Sequence, residues 1–561
     1  MNPGEHGEHG EPRTTASFGA TDPQLGARRA EAPDATPPRT ALAVAFVLLI
    51  FGVPVGQAAY ERAHGEPLQV LDYVRPLLQA PAGRPAATWL GAMVREITDP
   101  ERLRAFETRL HDVSFLRREV LPWYQRLLVQ WFGQGTREAV VGRDGWLFYG
   151  DDLASAYGKG FLEPDVGGRA ALEAIADFRD QLAARDVKLL VVPSYSKEML
   201  DPDRIAHATA GLASAANQDL ERFYDELAAR RIEYVRMDRI FAECRAARGD
   251  GERSLGLPRD THWSPETMAF ATMRIAERVR ALLGESEPAP TQLFVRRPVE
   301  VEAGGDLTRM LGLPESTSAW PPMRLTLQQV AWKATGEPLA SDPEGEVVLL
   351  GDSLTNAFSR ATLGLGEAAG FGEQLAFELD RPIDVIALDG KSATGVREAL
   401  ARRPDGLAGK RIVVWQFGVR MLALGDREWR MVELPKPGAE RTAHTGARQD
   451  AAPPATVVAT LMETTHIDPA KWDYPFCLGV MEYRVDGVES GKVDGERIWV
   501  AFPILVKHQA TAANAFAPGL RHRLVLEDVR LHHDLERVSW GDDTGAGATI
   551  YFPVQWEPAG K

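Results

Sequence analysis

Cysteine is almost missing from this chain, with Cys244 and Cys477 the only two in 561 residues. Two thiols are too few for a disulfide framework or a zinc cluster, and their long separation predicts two separate buried thiols instead of a bridge. Basic residues are outnumbered, 64 Lys plus Arg against 79 Asp plus Glu, for a formal net charge of -15. A surface of that sign repels phosphate backbones, so no nucleic acid is expected as a partner. His466 and the pair His532-His533 lack zinc spacing, and neither a metal nor another cofactor is expected. There is no internal repeat of fixed period. Long hydrophobic runs are missing with a single exception, which excludes a many-pass membrane protein.

The exception is Ala41 to Ala59, ALAVAFVLLIFGVPVGQAA, uncharged and long enough for a bilayer core. Gly52 and Pro54 are tolerated in a membrane span, and Arg28, Arg29 and Arg39 before the run against Arg62 after it leave the N-terminus inside. The expectation is an uncleaved single-pass anchor in the inner membrane of a bacterial source, with the catalytic domain in the periplasm; a signal peptide cleaved near Ala58 or Ala59 is the alternative. Either way the chemistry runs where soluble nucleotide cofactors are lacking. Residues 1–40, rich in Gly, Pro, Ala and charge, are expected to form a disordered tail. Residues 60–139 read as a membrane-proximal helical segment, from apolar positions such as Trp89, Met93, Ile97 and Phe106, Leu110, Val113.

From about residue 140 the pattern changes. Five apolar runs, VKLLVVPS, IEYVRMD, EVVLLGDS, IDVIALDG and RIVVWQFG, alternate with stretches of helical period. Strands that are apolar throughout and separated by helices imply a parallel sheet covered on both faces, so residues 140–434 read as one α/β domain. Residues 435–455 read as a Pro- and Ala-rich linker. Residues 456–561 carry short alternating runs between turn residues, which predicts a separate antiparallel β barrel or sandwich. Its aromatics Trp472, Tyr474, Trp499, Trp540 and Tyr551 suit sugar stacking or, more simply, a β core.

Gly351-Asp352-Ser353 follows the strand Val347 to Leu350 directly. A serine there sits at the carboxyl end of a parallel strand and near a helix N-terminus, where backbone N–H groups can stabilise an oxyanion; alternatively Ser353 only caps the helix. A nucleophilic serine needs a base. Asp260-Thr261-His262-Trp263 precedes a helix start at Ser264-Pro265-Glu266, and an Asp two residues before a His can fix the imidazole tautomer and leave the other nitrogen for the serine. The simpler reading of His262 is a hydrogen-bonded loop histidine.

Three separated elements, Val141-Gly142-Arg143-Asp144-Gly145-Trp146-Leu147-Phe148-Tyr149, Asp260-Thr261-His262-Trp263 and Gly351-Asp352-Ser353, together resemble the alginate O-acetyltransferase family of the AlgX and AlgJ type. Pro193 with Lys197, Gly305-Asp306-Leu307, Gly370-Phe371 with Leu375, and Trp415 to Arg420 are weaker matches, so the resemblance runs from about 100 to 425. It implies an SGNH-hydrolase-like parallel sheet flanked by helices and a triad of Ser353, His262 and Asp260. It also implies acetyl transfer to a polysaccharide hydroxyl, with a membrane-bound O-acyltransferase as acetyl supplier. Gly390, in the turn after the next strand, is a second oxyanion donor on this reading or a plain turn glycine. Arg420 is a ligand for an acidic sugar or a salt-bridged residue, and Lys197 is placed with them on the substrate-binding side. An esterase or deacetylase with the same triad, and a non-catalytic polysaccharide-binding subunit, are the competing functions.

Overall fold

The computed structural model describes residues 39–71, 100–163, 166–249, 254–286, 293–314, 320–403, 407–425, 428–435, 454–467, 476–506, 509–529 and 549–559, with a few positions between the last two stretches and Pro469. The expected linker and tail therefore lie almost wholly outside the described residues, as do Trp472 and Tyr474. Contacts divide the chain into two units, residues 1–115 and 116–561.

The first unit holds α1 (Arg39–Ala63) and α2 (Pro100–Val113). Within α1, Ala41–Ala63 is long and apolar enough to cross a membrane, by length and composition. The end of α1 is anchored by polar contacts: Gln57 donates to the Val113 carbonyl (3.0 Å) and accepts from the Phe115 N–H (2.8 Å).

The second unit opens with α3 (Leu121–Phe132), which ends on Gly133 at φ 60°, a left-handed cap that glycine adopts without a Cβ clash. A hairpin follows, β1 (Ala139–Val141) against β2 (Leu147–Tyr149), and then α4 (Gly150–Tyr157) and α5 (Gly168–Ala183). The central sheet is built from β3 (Lys188–Ser194), β4 (Glu233–Tyr234), β7 (Val347–Gly351), β8 (Asp384–Ala387) and β9 (Ile412–Gly418), in the order β4-β3-β9-β7-β8. Every pair is parallel, and the five expected runs are its five strands. Helices α6 (Leu220–Ala229), α7 (Met237–Arg248), α8 (Pro265–Leu283), α9 (Phe371–Leu379) and α10 (Thr394–Ala401) complete the layers. Four fully buried residues precede Gly351 in β7, and each buried aliphatic side chain contributes roughly 1.5–3 kcal/mol. Trp415 of β9 is wholly buried, meets Phe178 of α5 edge-on at 5.3 Å, and donates its indole N–H to the Ser392 carbonyl.

A long antiparallel ribbon, β5 (Phe294–Ala303) with β6 (Met323–Trp332), stands beside the sheet and was not among the expected strands. Both cysteines are free and buried.

The C-terminal strands are β10 (Ala455–Thr464), β11 (Phe476–Ser490), β12 (Arg497–Val506), β13 (Gln509–Ala510), β14 (Arg521–Asp528), β15 (Ser539–Gly541) and β16 (Ile550–Pro558). Pairings β10–β11, β11–β12, β12–β16, β16–β14 and β14–β10 close a ring, so this region is a barrel and not a sandwich, the five-stranded Greek-key type of OB barrels. Most pairings are antiparallel, as expected of this domain. Closure runs through the parallel pair β12–β16, and β15 joins β11 in parallel. Three register shifts along β10–β11 supply the bends that closure needs. Tyr551 lies in the barrel core, as a β-core aromatic would.

Candidate active site

Ser353 begins a single helical turn, Ser353–Asn356, at the carboxyl end of β7, next to the middle of the sheet. The turn is capped by Asp352 and not by Ser353: Asp352 Oδ1 accepts the Leu354 N–H (3.0 Å) and Oδ2 the Gly418 N–H (3.0 Å). Gln416 of β9 takes the Asp352 N–H (3.2 Å) and the Thr355 hydroxyl (2.8 Å), tying the turn to two strands. A Cβ on Gly351 would lie 2.1 Å from Thr355 Oγ1, so only glycine lets the strand pass the turn this closely. Among the described residues neither the hydroxyl nor the N–H of Ser353 has a hydrogen-bond partner, and the side chain is nearly buried.

Asp260 and His262 sit on the loop before α8, whose start is fixed by Ser264 accepting the Thr267 N–H and by Pro265 in the first turn. His262 Nδ1 meets Asp260 Oδ1 at 2.6 Å, and the same oxygen accepts the His262 N–H at 3.1 Å. Asp260 Oδ2 accepts the backbone N–H of Asp306 (3.0 Å). The Asp306 carboxylate in turn accepts the Thr261 N–H (2.9 Å) and hydroxyl and the Leu307 N–H (2.7 Å). Asp260, His262 and Asp306 place donor atoms within 4.8 Å of one another, a spacing a metal could use, yet the carboxylate oxygens and Nδ1 are already taken by these hydrogen bonds. His262 Nε2 is buried and has no partner among the described residues.

Burial opposes a charged imidazole, but Asp260, then Asp306 and Asp389, outweigh it and lift His262 to about 9. Burial likewise opposes the Asp260 charge, while His262 and the N–H donors hold the carboxyl below its ordinary range. Asp306 is pushed up to about 6, first by burial and then by Asp260.

Lys197 belongs to the architecture of this loop. Its Nζ is buried and donates to the carbonyls of Leu257 (2.9 Å) and Asp260 (2.7 Å), beneath the rings of Phe148 and Trp146 at 5.2 and 5.7 Å. Lys197, expected on the substrate side, here directs its donors at the loop backbone. The hairpin has the same role. Leu147 N–H reaches the Pro258 carbonyl (2.9 Å), Tyr149 N–H reaches Glu198 Oε1 (2.7 Å), and Asp201 receives the Leu255 and Gly256 N–H groups. Replacing Lys197 by Met removes two charge-assisted bonds from a buried loop and is expected to cost about 3 kcal/mol, read as a lowered denaturant midpoint with unchanged slope. A midpoint unchanged within error contradicts this role.

Asp389 connects the two halves of the site. It accepts from Asn356 Nδ2 (2.7 Å), three residues after Ser353, and its charge bears on His262; Arg360 stands 3.8 Å from it. Among the described residues no hydrogen bond joins His262 to Ser353. Gly390 follows Asp389 with φ 70°, the left-handed conformation of a strand-to-helix turn. Arg420 pairs with buried Asp152 at 3.3 Å and lies over Tyr149, as a salt-bridged residue would. Asp306, Asn356, Asp389, Arg360 and Asp152 were not singled out as site residues from the sequence. For Asp306 the signal was the Gly305-Asp306-Leu307 match; Asp152 stands on α4 and the others in or near the turns after β7 and β8, and each meets a partner far away in the chain.

Residues 139–419 match the model of a family described as the SGNH hydrolase-like domain of acetyltransferase AlgX. Among curated proteins, the chain is 28% identical over 238 residues to the probable alginate O-acetylase AlgJ of Pseudomonas aeruginosa, covering 42% of this chain and 55% of that protein. It is also 28% identical over 254 residues to the AlgJ of Pseudomonas syringae, covering 45% and 60%. The matches thus span little more than half the length of these relatives. Among solved structures, the O-acetyltransferase domain of Pseudomonas putida AlgJ aligns with 22% identity and TM-score 0.39, over 51% of this chain and 93% of that one. Pseudomonas aeruginosa AlgX aligns with 14% identity and TM-score 0.36, over 74% and 90%. On the match across residues 139–419, which takes in both the Asp260–His262 loop and the Ser353 turn, the chain belongs to the family of SGNH hydrolase-like domains of the AlgX acetyltransferase type.

Proposed function

We propose that this protein O-acetylates a polysaccharide outside the cytoplasm by way of an acetyl-Ser353 intermediate. One observation carries the reading: His262 has Nδ1 locked to Asp260 at 2.6 Å while Nε2 is buried with no partner. A buried nitrogen left unpaired costs free energy unless something in the working state uses it, and a proton from a nucleophile is such a use.

In this reaction Ser353 Oγ attacks the carbonyl of an acetyl ester and its proton passes to His262 Nε2. The C–O bond to the donor then breaks, and the departing alcohol takes that proton. An acceptor hydroxyl next gives its proton to His262 and attacks the acetyl-serine; the C–O bond to Oγ breaks and Oγ takes that proton from His262, restoring the serine. The unused Ser353 N–H supplies one oxyanion donor, and Gly390 is the second in this scheme. Asp260 holds the tautomer and stabilises the imidazolium; Arg420, held by Asp152, is the cation that this scheme offers to an acidic sugar's carboxylate. A membrane-bound acyltransferase is the acetyl supplier the scheme calls for, and α1 is the anchor beside it. The relatives named as alginate O-acetylases support a polysaccharide acceptor over water.

The reading is tested with the full chain in detergent, an activated acetyl ester, and neutral or acidic oligosaccharides. Acetylated sugar is expected; acetate release at a rate indifferent to sugar makes the protein an esterase instead. The pH dependence has a definite sign. His262 serves as base only when neutral, and with the imidazole at about 9 the initial rate with ester rises through neutral pH and levels near 9. Asp306→Asn removes one of the carboxylates holding the proton and shifts that rise to lower pH. A profile that stays in place contradicts the electrostatic role given to Asp306. Stability runs the opposite way: the protonated imidazole stabilises the fold fully below about 6.5, and this contribution is lost as pH rises through about 9.

A further inference from the structure

We infer that α3 lies on the lipid bilayer surface, with its aromatic face in the headgroup region, as a second membrane contact of the enzyme besides α1. This concerns the placement of the protein and is independent of the acetyl-transfer reading.

The helix LPWYQRLLVQWF buries a narrow side and exposes its apolar one. Gln125 and Val129 are buried; Trp123, Tyr124, Leu127 and Trp131 are exposed. At 100° per residue those four fall in one sector opposite Gln125 and Val129, a placement that wastes apolar surface in water. Trp131 is 80% exposed and Phe132 next to it 70%. Exposure of most of two large rings at a helix end is unfavourable in a protein that needs only water around it.

Lipid is the occupant that the surroundings fit. The same chain carries Ala41–Ala63, apolar enough to cross a bilayer, so this domain is tethered near one. Trp and Tyr beside aliphatic residues are the composition of the membrane interface, and 12 residues are too few to span the core. Charge agrees: residues 116–132 contain Arg117, Arg118 and Arg126 against Glu119 alone, a locally basic segment in a chain of net charge -15, complementary to anionic headgroups.

The inner side of α3 gives the contact a consequence. Val129 packs in a cluster with Ala139, Leu147, Leu307 and Leu311, and Thr136 just after the helix bonds the Met310 carbonyl at 3.0 Å. Leu307 follows Asp306, whose N–H holds Asp260. A bilayer contact at α3 therefore sets the height of the Asp260–His262 loop above the membrane.

The test uses the full chain with Trp131→Cys, labelled with a polarity-sensitive nitrobenzoxadiazole dye and reconstituted without any other protein into phosphatidylcholine–phosphatidylglycerol vesicles. Cys244 and Cys477 are buried and do not compete for label, and Trp131 is too exposed for its loss to unfold the protein. Asp225→Cys, at an exposed position of α6, is the aqueous control. The dye at position 131 is expected to shift blue, to be quenched by nitroxide on shallow lipid positions, and to show roughly fivefold less iodide quenching than at 225. Omitting phosphatidylglycerol is expected to weaken the shift. Equal iodide quenching at the two positions overturns the proposal. So does protection at 131 that develops in detergent with rising protein concentration, which assigns the face to a second copy of the chain.

Discussion

Ser353→Ala is expected to lower acetyl transfer by roughly 10^4- to 10^6-fold while leaving the melting temperature nearly unchanged, because covalent catalysis ends when the nucleophile is removed. The second half of that expectation comes from the structure. The competing role, capping the following turn, is filled by Asp352, which takes the Leu354 N–H. Among the described residues no hydrogen bond is made by the Ser353 hydroxyl, so its loss strands no partner and is expected to change stability by less than about 0.5 kcal/mol. Kinetics with an activated ester and a thermal melt on the same sample check both halves. A variant that retains transfer activity excludes Ser353 as the nucleophile, and one that unfolds makes Ser353 structural.

The second large effect is Asp260→Asn, expected to cost about 10^4-fold in rate. The asparagine nearly preserves shape, but its amide can donate to His262 Nδ1 and so favours the tautomer in which Nε2 carries the proton and cannot accept one from Ser353. Asp260 also receives two backbone N–H groups, from His262 and Asp306, so the variant is expected to lose about 1–3 kcal/mol as well. Without the carboxylate that contributes most to holding the proton, the residual activity is expected to begin rising at lower pH than in the wild type. An Asp260→Asn variant with wild-type rate and profile excludes Asp260 from the triad.

How much of this was legible in the sequence follows from the range of the interactions. The five parallel strands were visible because burial on both faces leaves uninterrupted runs such as VVLL and IVVW. The β5–β6 ribbon is harder to read, although MRLTLQQV in β6 alternates regularly, because half of β5 is exposed and it contains Pro298 and four charges. The barrel strands were readable one by one, but their closure through the parallel β12–β16 pair was not, since alternation records which face is buried and not which strand is the neighbour.

The site divides in the same way. Asp260 and His262 are two residues apart on one loop, and their bond is a local matter that spacing can express. Asp306 is 46 residues from Asp260 and reaches it through a backbone N–H, which leaves no trace in side-chain identity. Lys197 is placed with the substrate-binding residues by the resemblance; only the fold brings the carbonyls of Leu257 and Asp260 onto its Nζ.

The central claim is that Ser353 carries the acetyl group. Full-length protein is mixed with an activated acetyl ester, quenched in acid within the first turnovers, digested, and its peptides sequenced by mass spectrometry, alongside Ser353→Ala. The account predicts an acetyl group localised to Ser353, absent from the variant, that decays faster when an acceptor oligosaccharide is present and reappears on that sugar. Folded wild-type protein that consumes the ester with Ser353 unmodified at every quench time, or that acetylates another residue equally in the variant, contradicts it.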